Sequence, residues 1–370
     1  MEVLITILRE VRDPRDFNAR HDCASMLFIA LIATLCGAKS CVGYADFAAA
    51  HVEELAEVVD LPYGAPSHDS FSRLFGLLDP AELEKSLRNF AQTLREGLGL
   101  GPVKGLIAFD GKRLRRGYER GRACMPPLMV SVWDAETRIS ISARASSDGN
   151  EVAATLQALK SLDLKGCWVA ADALHCHPEM AGEIRAAGGH YALKLKGNNG
   201  PLFACAISAF ALADSAGQLA FHETQEKGHD RFERRRASVV AAPADAPRFP
   251  GLAAFGRIES ERRVGKKKSS FFTHYIALSN RLSPKTPKTM MSKVRSYWSV
   301  ENNCHWPLDV VFDEDGCRAR KNHAPQNISI IRRMGLDILR THPADMSITR
   351  KMNLAAWNKE FRYDLFTHMR

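Results

Sequence analysis

The residues best suited to chemistry in this sequence are acids. Asp110 closes the short apolar run that starts at Gly105, and Gly111, Lys112, Arg113, Arg115 and Arg116 follow it closely. A carboxylate beside a basic loop suits an acid that holds a metal while the loop holds phosphate. Read structurally, the same stretch is an Asp-Gly turn with a solvated charge run. Asp172 closes a second apolar run that starts at Cys167. An unpaired acid there is costly, so it needs a partner, an ion or a helix to cap. The third position is less sharp. Between Tyr297 and Val310, helical spacing puts Trp298, Glu301 and His305 on one face with Asn302 alongside, and Asp309, Asp313, Glu314 and Asp315 follow. Side-chain chemistry leaves open which of these acids matters.

Two acids at strand ends and a third on a late helix match the needs of two-metal phosphoryl transfer. Mg²⁺ takes hard oxygen ligands. Two such ions ~3.5–4 Å apart activate the attacking oxygen and stabilise the leaving one. Rival chemistries lack their residues. His175-Cys176-His177 has no second ligand pair of the kind structural zinc requires. No Walker A loop, GxSxG or HExxH occurs.

The elements that must hold these acids are legible as apolar runs. Strands are predicted at 105–110, 128–133 and 139–145, with a turn at Asp134-Ala135-Glu136. A helix over 151–162, a strand over 167–172, a helix over 178–187, a strand over 191–195 and a helix from about Asn199 follow. The order βββαβαβα predicts an α/β fold with a mixed open sheet, and Asp110 and Asp172 just past strand ends. Residues 215–282 read as β-rich, and period-two alternation puts His229, Arg231, Glu233 and Arg235 on one face. Helices return at 288–303 and 327–340, and the last thirty residues receive no assignment. Residues 1–100 read as helical, with apolar stretches over 24–37 and 43–59 and an Asp79-Pro80 helix start. The glycine-rich stretch ending at Pro102 separates a helical N-terminal domain, 1–100, from 101–370.

Composition excludes a disordered or fibrous chain: of 370 residues, 45% are hydrophobic and 25% charged. Charge is divided unevenly. Residues 1–100 carry 9 Lys/Arg and 15 Asp/Glu, a balance of −6, whereas 101–370 stand at +15. The positive part is clustered at Lys112–Arg122, at Arg262, Arg263, Lys266, Lys267 and Lys268, and at Arg318, Arg320 and Lys321. Such clusters suit a polyanion, most commonly nucleic acid. Nine cysteines, an odd count without CxxC, read as free thiols in a reducing compartment. The N-terminus lacks a basic start, and the longest apolar run, 24–38, is short for a membrane span. A cytoplasmic protein without membrane contact, nucleoid-associated when bound to DNA, is expected.

The combined blocks resemble bacterial insertion-sequence transposases of the DDE type, in the ISAs-type branch that includes the H-repeat-associated proteins. Pro66-Ser67-His68-Asp69-Ser70-Phe71 is similar to that branch's N-terminal domain. Ala108-Phe109-Asp110-Gly111-Lys112 and Ala171-Asp172-Ala173-Leu174 resemble the blocks around its first two acids. Lys227-Gly228-His229-Asp230-Arg231-Phe232-Glu233 resembles a motif of its β-rich insertion. The most specific likeness runs from Trp298 to Asp315, and the resemblance makes Glu301 the third acid. It implies an RNase H-like core, two Mg²⁺ ions with Mn²⁺ able to substitute, and double-stranded DNA as partner, with a homodimer assembling on it. Catalytic and metal-holding roles fall to Asp110, Asp172 and Glu301. Contacts to DNA fall to Lys112, Arg113, Arg115, Arg116, His229, Arg231, Arg262, Arg263, Lys266, Arg295, Asn302 and His305. The wider superfamily's Tyr, Arg and Lys around the third acid are replaced by Val294, Tyr297 and Leu308, with Arg295 or His305 as substitutes. Pro307 predicts a helix end soon after Glu301. The expected activity is cutting at element ends and joining to target DNA. The alternatives are a nuclease that does not join and a repurposed, non-catalytic DNA-binding protein.

Overall fold

The computed structural model describes every residue except 119–124, 147, 218, 229, 266 and 368–370. The helices of the first hundred residues are α1 (Glu2–Arg9), α2 (Cys23–Leu35), α3 (Cys41–Ala50), α4 (Val52–Ala56), α5 (His68–Leu77) and α6 (Pro80–Gly97). All thirteen residues of α2 are buried. A helix apolar on every side must be surrounded, and α1 and α3 supply only part of the cover. The stretch expected as one helix over 43–59 breaks at His51 into α3 and α4. Asp79 caps α6, accepting from the Ala81 N–H, with Pro80 in the first turn.

The sheet has nine strands in the order β3-β2-β1-β4-β5-β9-β8-β7-β6. β1 (Gly105–Arg113), β2 (Leu128–Asp134) and β3 (Ile139–Ser146) form an antiparallel meander. β4 (Cys167–Ala171) and β5 (His190–Leu195) join parallel to β1 through the crossover helices α7 (Glu151–Leu159) and α8 (Pro178–Ala186). This is the expected RNase H-like βββαβαβα core, completed by α9 (Gly200–Ser215). The β-rich insertion, β6 (Phe221–Gly228), β7 (Arg231–Ala241), β8 (Ala254–Val264) and β9 (Ser270–Leu278), is no separate layer. β9 pairs antiparallel with β5, so the insertion continues the same sheet.

α7, α8 and α9 cover one face, closing a core that includes Phe109, Val169, Leu193 and Phe255. On the other face α10 (Thr286–Tyr297) lies over the middle strands, burying Ala170, Ile276 and Met290 together. A π-helical turn, Glu301–His305, leads into α11 (Trp306–Val310). Pro307 therefore does not end the helical path. Its missing N–H falls in the first turn of α11, where no partner is needed. α12 (Ala324–Thr341), α13 (Ile348–Trp357) and α14 (Lys359–Asp364) follow, so the unassigned tail is helical. α12 lies against α2, α5, α6 and β3, and Phe28, Phe90, Trp133, Ile331 and Leu365 belong to one core. Residues 1–100 and the C-terminal helices thus close that core together.

Among the described residues no helix is long and apolar enough to cross a membrane. The eight described cysteines are free.

Candidate active site

Parallel pairing of β1 with β4 sets Ala108 opposite Ala170. Asp110 and Asp172 each follow two residues later, so strand alternation puts both on the sheet face that α10 covers. Asp110 is not past the end of its strand, as expected, but inside it. β1 runs on to Arg113 because Gly111, Lys112 and Arg113 keep register with Val130, Met129 and Leu128. Lys112 is accordingly a strand residue, and it is buried.

Around Asp110 the charges are sealed. His305 Nδ1 lies 3.2 Å from the Asp110 carboxylate, and its Nε2 faces Ser131 Oγ at 3.5 Å. Arg333 donates to the same Ser131 Oγ at 3.2 Å and pairs with Glu314 at 3.3 Å. Lys112, two residues from Asp110, closes the ring with Asp309 at 2.6 Å, Asp315 at 3.0 Å and Glu314 at 3.4 Å. Burial alone would raise the Glu314 carboxyl, but Arg333, Lys112 and Arg332 bring it down to about 2.

Around Asp172 the charges are open. Lys194 and Lys196, on alternate positions at the end of β5, stand 3.8 and 3.5 Å from its two carboxylate oxygens. Burial would raise this carboxyl, yet the Ala173 backbone N–H and both ammonium groups hold it below the usual aspartate value. Burial and Lys196 lower Lys194 against the pull of Asp172. His274 on β9 is lowered too, by burial and by both lysines. Tyr297, at the end of α10, lines the same groove as Asp172, Lys194 and His274. Burial, then the charges of Asp110 and Asp172, push its phenol far up, so it stays protonated between the two acids.

Asp110 and Asp172 offer the oxygen donors a hard divalent ion takes. Glu301 opens the π-helical turn four residues after Tyr297 and is exposed, and its carboxylate makes no hydrogen bond or ion pair among the described residues. Among those residues, no three His, Cys, Asp or Glu side chains stand close enough to hold a metal ion. The structure thus brings two of the three predicted acids together and leaves Glu301 on the adjoining turn. π-turns often occur at functional sites. This one directs Glu301 outward and buries His305.

Residues 101–334 match the family described as Transposase DDE domain, and 5–91 match the one described as DDE_Tnp_1-associated. The chain belongs to the DDE transposase family. It is 27% identical to the H repeat-associated putative transposase YhhI of Escherichia coli K12, over 96% of this chain and 95% of that one. It is 28% identical, with the same coverage, to the putative protein YbfL of that strain. It is 33% identical to an uncharacterized protein in the dhlA 3′ region of Xanthobacter autotrophicus, over 72% of this chain and 92% of that one.

The basic positions expected on the DNA side of this transposase divide by their partners. Arg113 is exposed, and Arg115 is exposed with Asp315 at 3.3 Å. Arg116 accepts from Arg320 through its carbonyl. Arg262 stands on β8 opposite Glu233, and Arg263 stacks over Phe232 at 5.7 Å. Both lie on β8. Arg231 pairs with Glu233, and Arg295 with Glu226 at 2.7 Å. Asn302 is exposed, whereas His305 is buried against Asp110. His229 and Lys266 lie outside the described residues. Sequence reading passed over Lys194, Lys196 and His274. The available signal was the alternation in Ala192-Leu193-Lys194-Leu195-Lys196, which sets two cations on one face at a strand end.

Proposed function

We propose that this transposase cuts DNA at the ends of an insertion sequence and joins the freed 3′-OH to target DNA, acting as a homodimer assembled on the DNA. The observation that carries this reading is the placement of Asp110 and Asp172 on one face of two adjacent parallel strands, with Lys194 and Lys196 beside Asp172. Asp110, Asp172 and Glu301 would hold two Mg²⁺ ions, with Mn²⁺ able to substitute. When bound, such ions activate the attacking oxygen and stabilise the leaving one.

The chain's own side chains do the rest. His305 fixes the Asp110 carboxylate from behind, and the ring through Ser131, Arg333 and Glu314 fixes His305. Lys194 and Lys196 hold a backbone phosphate over Asp172, and the protonated Tyr297 donates into the same groove. Arg113, Arg115, Arg116, Arg262 and Arg263 extend the grip along the duplex, positioning it without reading its sequence. Residues 1–100 act as the DNA-end or dimerisation domain.

The test is a cleavage and joining assay with the full chain, Mg²⁺ and duplex DNA from the flanks of its gene, with Glu301→Gln beside the wild type. Joined products lost in Glu301→Gln support the proposal. Metal-dependent cutting without joining would make the protein a nuclease. Salt-dependent binding without cutting would make it a repurposed DNA-binding protein.

A further inference from the structure

The Pro66–Phe71 motif has no part in the chemistry above. Ser67 caps α5, its Oγ facing both the Ser70 N–H at 3.3 Å and Ser70 Oγ at 3.1 Å. Beside it is an open cavity lined by Arg20, His21, Tyr63, Ser67, Ser70 and Arg73. Three features set this cavity apart from an ordinary surface dent.

Arg20 and Arg73 are both exposed, and among the described residues neither has a carboxylate partner. Arg15 differs. It is held by Asp13 at 2.7 Å and donates to the His21 carbonyl at 2.6 Å, which fixes the loop. The buried His21 Nδ1 faces no partner. Finally, Asp16 is the sole acid among the described lining residues, in a domain whose balance is −6. Two unpaired guanidinium groups, an imidazole and serine hydroxyls converging at a helix start are groups that take phosphate oxygens.

Backbone contacts link the far end of α5 to the basic residues that follow β1, Arg115 and Arg116. Arg320 donates to the Arg116 carbonyl at 3.1 Å. The neighbouring Lys321 carbonyl lies 3.6 Å from where a side chain on Gly76 would begin. Gly76 is near the far end of α5, and Arg73 is one turn back toward the cavity.

We propose that Arg20, His21 and Arg73 form a phosphate-binding site that grips the backbone of the element-end duplex. The inference rests on the transposase reading and gives the acidic N-terminal domain its hold on DNA. The site holds phosphate and carries no sequence readout, so the grip sets register and orientation.

The experiment measures binding of the full chain to labelled flanking duplex by fluorescence anisotropy across a salt series, in EDTA so that metal ions contribute nothing. The Arg20→Gln, Arg73→Gln double variant is compared with wild type, with Lys85→Gln, at an exposed position of α6, as the charge control. The expected result is a Kd raised about tenfold and a log–log salt slope lowered by about 0.9 for each phosphate released from the protein. Lys85→Gln should leave both unchanged, and Arg20→Lys with Arg73→Lys should restore most of the slope. An unchanged slope in the double Gln variant, or an equal loss in Lys85→Gln, overturns the site while leaving the transposase reading standing. Absence of salt-dependent binding by the wild type overturns that reading itself. Should the Gln variant melt early, the Lys pair decides: a slope equal to wild type supports the site, and a slope as low as that of the double Gln variant overturns it.

Discussion

Lys112 and Lys194 are both strand lysines beside a candidate catalytic acid, yet the protein treats them oppositely. Lys112 is 8% exposed and meets three carboxylates, the nearest at 2.6 Å. Lys194 is 25% exposed, its neighbour Lys196 is 54% exposed, and the two share one carboxylate at 3.5 Å or more. The first cluster buries Lys112 and Arg333 among its acids, and its one exposed cation, Arg115, is held by Asp315 at 3.3 Å. The second has cation in excess and opens to solvent. In the buried cluster each charge is held by fixed partners, and removing one leaves the others uncompensated. In the open cluster the spare positive charge stays exposed to solvent. A lysine next to a catalytic acid in sequence is therefore no guide to DNA binding until its partners are known.

The contrast yields four predictions. Asp110→Asn or Asp172→Asn should lower cleavage by about 10³-fold, the scale of losing a principal charge-stabilising group. Salt-dependent DNA binding should persist, and a gel assay of cut ends with parallel anisotropy separates the two. Glu314→Gln, which strips Arg333 and Lys112 of a buried partner, should cost about 3–5 kcal/mol in urea unfolding. The DNA salt slope of the folded variant should not change; a change would mean that the sealed cluster also faces DNA.

The third prediction concerns pH. The Glu314 carboxyl is held at about 2, below the ordinary glutamate value of 4.5. Its stabilisation is complete above about 4.5 and is lost as pH falls from there through about 2. The stability gap between wild type and Glu314→Gln should therefore narrow across that window. A constant gap in acid would show that Glu314 is not acting as a charge. The smallest effect on the fold belongs to the open cluster. Lys194→Gln with Lys196→Gln should change stability by no more than about 0.5 kcal/mol each, as at ordinary surface sites. The DNA salt slope should fall by about 0.9 for each phosphate that the lysines no longer neutralise. A slope equal to wild type would move the substrate track away from β5.

Much of the fold was legible because its strands are apolar and its turns are polar. The run Cys167–Ala171 is fully buried, and βββαβαβα follows from reading such runs in order. What failed to show was pairing across long separations. The charges of Lys112 and Arg113 look like a loop, but the acids that neutralise Lys112 lie about two hundred residues away and only folding brings them close. Arg262 reads as part of a free basic cluster because its register partner, Glu233, is on another strand. The tail was opaque because polar residues on its outer faces obscure helices capped by Ser347 and Asn358. Of the site, the two strand acids could be read from sequence. The cations facing Asp172 were overlooked, and Glu301 was singled out only by resemblance.

The shared core has a consequence in time. α2 is buried on every side, and part of its cover is α12, which begins at Ala324. At about 5–20 residues per second of synthesis, the ribosome makes the last of that cover roughly 15–60 s after α2. Through that interval a thirteen-residue apolar helix waits incompletely wrapped. A chain that stops before α12 has no way to finish its first domain, so a truncated copy of this gene should yield a protein that aggregates rather than a free N-terminal module.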